Sequence, residues 1–101
     1  MNYKYISGEV LPLPEDTTWT DGMKLQDIYP NSSFVSGTEN PEGMKIHPVV
    51  KNNRVQINYT FEERFAGGPG LVHGGILAAA IDDLMGYATV IHNHMCVTAN
   101  L

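Results

Sequence analysis

Residues 71–91, LVHGGILAAAIDDLMGYATVI, set the tightest limit on what this chain can fold into. Leu77, Ile81, Leu84, Ala88 and Ile91 recur at spacings of four, three, four and three, which is one face of a helix. Ile76, Ala79, Ala80, Met85 and Val90 make the other faces apolar as well. A helix that is apolar nearly all round is expected to be buried nearly all round. In a single small domain, a curved sheet is the object that can wrap such a helix, so the spacing predicts an α+β fold. Asp82 and Asp83 interrupt the apolar body. Two carboxylates in mid-span argue against a transmembrane helix, and each needs a partner or a task.

The rest of the chain offers little sheet. Residues 1–43 are rich in turns: LPLPEDTTWTDG carries a helix-start signal near Glu15–Thr18, MKLQDIY suits one or two helical turns, and SGTENPEGMKI is a turn cluster. Residues 44–61 read as a hairpin, with MKIHPVV and RVQINYTF flanking KNN. Val55, Ile57 and Tyr59 alternate with Gln56, Asn58 and Thr60, a half-buried strand with one wet face. Pro48 has no N–H to donate, which predicts an edge position or a bulge. MCVTANL at the end reads as the start of a third strand. Three strands cannot cover a helix of about 30 Å (roughly 20 residues) on most sides. The expectation is therefore a segment 1–43 followed by an incomplete domain at 44–101, whose missing cover comes from more chain or from a second chain.

Charge narrows the function classes. The net charge is −5, with Lys and Arg scattered singly, so nucleic acid and anionic membrane are not expected partners. Cys96 is the single cysteine and MNYKYISGEV has no apolar signal core; both suit a reducing, cytoplasmic compartment. Gly68-x-Gly70 lacks the third glycine of a dinucleotide fingerprint, and no Gly-Lys-Ser/Thr follows it as in a P-loop. His92, His94 and Cys96 alternate and could share a strand face as metal ligands, but histidines beside a helix C-terminus are the favoured reading; no metal or cofactor is expected.

The glycine-rich mouth of the helix suggests chemistry. A helix N-terminus presents unpaired N–H groups and about half a positive charge. Gly74 and Gly75 fall in the first turn, where a substrate can approach the backbone closely and a developing oxyanion can be stabilised. A plain loop-to-helix transition with tight packing is the structural alternative. His73 suits orienting a carbonyl or a water, or a hydrogen bond to backbone at the helix start. Asp82 suits a carboxylate with a catalytic task, or a salt-bridged structural charge. Asp83, about 100° further round the helix, is expected to face solvent or a subunit contact.

GGPGLVHGGILAAAIDDLMGYA resembles the hotdog-fold acyl-CoA thioesterases, in the branch with a His-Gly-Gly motif and a helical Asp. SGTENPEGMKI is similar to the Gly-x-x-Asn-Pro-x-Gly segment that precedes their first strand. The resemblance covers about residues 34–101. It implies a curved antiparallel sheet around one long central helix, here apparently truncated after the third strand. It implies hydrolysis of acyl-CoA-type thioesters to free acid and CoA thiol, with the Gly74 N–H on the carbonyl. Asp82, nine residues after His73 as in the family, would be general base or nucleophile. Thr98 stands where some relatives place a hydroxyl that helps to hold the water, although strand propensity alone also explains a Thr there. Gly70, Leu71 and Val72, leading into the motif, are expected to bind substrate.

Nine residues of helix put His73 and Asp82 roughly 13.5 Å and about half a rotation apart, so both cannot touch one carbonyl from the same helix. Two antiparallel copies related by a two-fold could bring the Gly74 of one to the Asp82 of the other, which is also what the resemblance implies. A homodimer, or a dimer of dimers, is the expected assembly. Two other functions fit the same residues: a non-catalytic acyl-binding hotdog module, and an inactive truncated remnant.

Overall fold

The computed structural model describes residues 18–28, 32–92, 94, 98 and 100. A short helix α1 (Leu25–Ile28) leads to strands β1 (Val49–Lys51) and β2 (Arg54–Gln56), a 3-10 turn at Glu63–Phe65 and the long helix α2 (Gly74–Val90). This is an α+β arrangement of a two-stranded antiparallel sheet and one long helix. No helix among the described residues is long and apolar enough to cross a membrane.

The hairpin forms where its residues favour it. Val50 pairs with Val55 and Lys51 with Arg54, leaving a two-residue loop. Asn52 and Asn53 fill the loop with φ of 50° and 60°, a left-handed pair that Asn tolerates and that matches the strand twist. Asn52 N–H also donates to Asp21 Oδ1 at 2.7 Å. Val55, Ile57 and Tyr59 are half-buried while Arg54, Gln56, Asn58 and Thr60 are exposed, so the alternation read from the sequence holds beyond the strand itself.

Both strands are shorter than the β-rich runs, and upstream segments bond to the outer edge of the first run. Met44 N–H donates to Phe34 O at 2.7 Å and Ile46 N–H to Val35 O at 3.0 Å. On the other side of β1, Gly22 N–H donates to Val50 O at 2.9 Å and Val50 N–H to Met23 O at 3.0 Å. Pro48 sits just ahead of β1, fully buried, and its carbonyl accepts from Leu25 N–H at 3.2 Å. Its missing N–H therefore costs the ladder nothing. The helix start expected near Glu15–Thr18 and the strand expected in residues 95–101 fall largely outside the described residues.

Two apolar clusters lie along α2. Met44, Ile46, Phe65 and Ala80 form one, flanked by Ile57, Tyr59 and Ile76. Leu25, Val50 and Ile91 form the other, flanked by Trp19, Met23 and Tyr87. The inward face of α2 thus runs Ile76, Ala80, Asp83, Tyr87, Ile91, at spacings of four, three, four and four. This corrects the face read from the sequence. Ile91 is 6% exposed as expected, but Leu77 is 45% and Ile81 48% exposed, with Met85 beside them at 54%. The expectation that α2 is buried nearly all round is also overturned for the single chain: Ala80 is its one buried residue. A helix apolar on every side gives periodicity no contrast with which to choose its inner face.

Candidate functional site

The mouth of α2 is shaped by a closed loop. Gly67 N–H donates to Leu71 O at 2.8 Å and His73 N–H to Phe65 O at 2.8 Å, so the chain doubles back on itself before the helix. Gly67 is required there, since a Cβ would lie 3.0 Å from the Cα of His73. Gly70, Leu71 and Val72 come together on an open depression of about 440 Å³, with Phe61 and Pro69. Leu71 is 67% exposed. His73 and Gly75 line a second depression of about 350 Å³, with Arg64, Phe65 and Ile76.

His73 caps the helix. Its Nδ1 accepts from Gly75 N–H at 2.9 Å, and its backbone is extended at φ −61° and ψ 131°. A ring nitrogen that accepts carries no proton, so the neutral imidazole has its proton on Nε2, as an outward donor. Gly75 makes this cap possible, because a Cβ there would lie 3.1 Å from Nδ1. The two glycines are therefore not equivalent. Gly75 N–H is used within the chain. Gly74 N–H has no partner among the described residues, and a Cβ on Gly74 would meet nothing within 4 Å. Gly74 N–H is an open donor at the helix tip, in the first helical position with the dipole behind it.

Asp82 lies further along, on the flank of α2, half-buried. Thr98 Oγ1 donates to Asp82 Oδ1, bringing together two residues singled out from sequence. A carboxylate fixed by a hydroxyl on one oxygen keeps the other available for a proton. The chain does not bring Asp82 to His73 or Gly74, because they are separated along one straight helix by roughly 13.5 Å. A single chain thus carries an open helix tip and a carboxylate–hydroxyl pair at two separate places on α2.

Asp83 contradicts the expectation of a solvent-facing side chain. It is on the inward face, between the two apolar clusters, and its Oδ2 is buried without a partner among the described residues. Burial pushes its carboxyl above the ordinary value; hydrogen bonding from Ser36 pulls it partly back, and the adjacent Asp82 charge pushes it up. Around it stand fully buried Ser36, buried Gln26, and Tyr87, whose hydroxyl accepts from Gln26 Nε2 and lies 2.9 Å from Ser36 Oγ. Sequence reasoning missed this group. The only signal was Asp83 in phase with Ile76, Ala80, Tyr87 and Ile91.

Arg64, beside the helix tip, was also missed. Its guanidinium donates to the carbonyls of Glu42 and Gly43 at 3.3 and 3.0 Å, pairs with Glu62 at 3.1 Å and stacks 4.2 Å over the Phe65 ring. It fastens the 42–43 turn to the loop below α2. Among the described residues no three His, Cys, Asp or Glu side chains are grouped to hold a metal ion. His92 follows the helix end, with its N–H on Thr89 O, and Cys96 lies outside the described residues. Compared with protein-family models, with curated proteins and with solved structures, the chain matches none of them.

Proposed function

We propose that this chain is the protomer of a hotdog-fold homo-oligomer that hydrolyses acyl-CoA-type thioesters. The observation that carries the reading is the pairing of Asp82 with Thr98 on the same helix whose tip leaves the Gly74 N–H open. The His-Gly-Gly motif and the nine-residue spacing to Asp82 support it. In this reading the thioester carbonyl oxygen sits on the Gly74 N–H of one protomer and Asp82 is supplied by its mate. As charge builds on that oxygen, the donor and the helix dipole stabilise it, an effect worth about 2.7–4 kcal/mol for one such donor. The His73 Nε2–H orients the carbonyl or the water. The exposed Leu71 and Val72 suit the apolar part of the acyl group.

Two routes fit the carboxylate. As general base, Asp82 takes a proton from water while the hydroxyl oxygen bonds to the carbonyl carbon; the C–S bond then breaks and the thiolate leaves, to be protonated. As nucleophile, Asp82 attacks the carbonyl carbon, the C–S bond breaks and the thiolate leaves to be protonated, and the resulting anhydride is cleaved by water. A single turnover in isotopically labelled water separates them. The general-base route puts label into the released acid at once. The nucleophilic route, with water attacking the Asp82 carbonyl, leaves the first acid unlabelled.

The test of the function is release of free thiol from a panel of acyl-CoAs by the full-length protein and by Asp82→Asn. Turnover by the wild type and loss in the variant support the reading; equal rates remove Asp82 from it. A rise in melting temperature with intact acyl-CoA and no thiol released would instead favour an acyl-binding module.

A further inference from the structure

The inward-facing polar group between the two apolar clusters has an incomplete proton count. Gln26 Nε2 can only donate, so Tyr87 Oη accepts from it; with Ser36 donating to the Asp83 carboxyl, the Tyr87 hydroxyl donates to Ser36 Oγ, 2.9 Å away. Ser36 then has its own proton free for the Asp83 carboxyl, with which it interacts. The chain of donors runs Gln26, Tyr87, Ser36, Asp83. Two acceptors are left over at its ends, Gln26 Oε1 and Asp83 Oδ2, both buried and both without a donor among the described residues. Gln26 is 3% and Ser36 0% exposed, so bulk water does not supply one. A proton on Asp83 Oδ2 would turn that acceptor into a donor.

We propose that Asp83 works as a proton-operated fastener. Its protonated carboxyl donates directly to Gln26 Oε1 and closes a hydrogen-bonded ring. That ring ties α1 and the turn at Ser36 to the middle of α2. The ring joins three parts of the chain that no continuous sheet connects, at the junction of the two apolar clusters. Ionisation of Asp83 removes the donor, leaves Gln26 Oε1 unpaired and loosens the N-terminal segment from the helix. The surroundings favour the neutral form. Burial raises the Asp83 pKa, and the charged group acting on it among the described residues, Asp82 on its own helix, is another carboxylate. Ser36 from the turn, Gln26 from α1 and Tyr87 from α2 complete its neighbours, none of them cationic. The inference does not depend on thioester chemistry, because its readout is stability.

A folded state that binds this proton more tightly than the unfolded chain gains stability from it at low pH. That gain is lost as pH rises above the ordinary carboxylate value through the raised folded one. The experiment compares melting temperature against pH for the full-length wild type and Asp83→Asn, with Tyr87→Phe as a second variant. Asn is a permanent copy of the neutral acid: its Oδ1 accepts from Ser36 and its Nδ2 donates to Gln26. The expected result is Asp83→Asn melting a few degrees above wild type at neutral and alkaline pH, with the difference closing as pH falls. Tyr87→Phe, which opens the ring, should lose stability and lose the same pH-dependent difference on adding Asp83→Asn. If the Gln26 amide is instead reversed, its Nε2 pairs an ionised Asp83 and the sign inverts. Asp83→Asn would then be the less stable protein at neutral pH, with the gap closing towards acid. That result, a pH-independent difference, or an Asp83→Asn chain that does not fold overturns the proposal.

Discussion

Asp82 and Asp83 are consecutive, yet they occupy two different regions of the molecule. Asp82 lies on the flank of α2, bonded to the hydroxyl of Thr98. Asp83 lies on the inward face, between buried apolar clusters and against a chain of buried hydroxyl and amide groups. A rotation of about 100° per residue is enough to move a carboxyl from one setting to the other. Identical side chains therefore take different settings according to helical phase: one is paired with a hydroxyl on the flank, the other is held among buried polar groups on the inward face.

The largest expected effect separates those roles. Asp82→Asn should lower thioester hydrolysis by about 10²–10⁴-fold with little change in melting temperature, the usual range for losing a general base. Asp83→Asn should leave hydrolysis within a small factor of wild type while changing the pH dependence of stability. Rates that fall equally in both variants would erase the distinction between flank and inward face.

Next come two isoleucines of the same helical segment. Ile91, 6% exposed, packs with Leu25 and Val50, and Ile91→Ala should cost about 2–5 kcal/mol in denaturant unfolding. Ile81, 48% exposed, should cost within about 0.5 kcal/mol when changed to Ala. A cost at Ile81 as large as at Ile91 would mean that the outer stripe of Leu77, Ile81 and Met85 is covered in solution, and the contrast between the faces would apply to the lone chain only.

Much of this was legible in the sequence. The helix, the Asn-Asn hairpin loop and the alternation at Val55, Ile57 and Tyr59 follow from local pattern. So does a short helix near Leu25. The residues His73, Gly74, Gly75 and Asp82 stood out through the resemblance of their motif to the hotdog-fold thioesterases. The inner face of α2 did not, because a helix with apolar residues on every side has no amphipathic contrast to orient it. The partners of Asp83 were invisible for another reason: Gln26 and Ser36 approach it from about fifty residues upstream, and no local pattern encodes that meeting. The strand lengths were overestimated because propensity counts β-rich residues, not the cross-strand hydrogen bonds that define a ladder.

The smallest effect concerns the tip. His73→Ala removes the acceptor of Gly75 N–H, and should destabilise the chain by about 1 kcal/mol, typical of a lost N-cap, as read by thermal melting. No change would mean that the imidazole is not held as a cap in solution, and that its Nε2–H has no fixed direction.

The central claim is that the tip of one protomer meets the carboxylate of its mate, and mixing two inactive variants tests it most directly. Gly74→Pro deletes the open N–H at the first helical position, where proline is tolerated and where the extended backbone of His73 already suits it. Asp82→Asn deletes the base. Each alone should be nearly inactive. Mixed and allowed to exchange subunits, they should recover roughly a quarter of wild-type thiol release, since half of the pairs are hybrids and half of their sites are intact. No recovery, from variants shown to exchange, would place both groups in the same protomer and contradict the account.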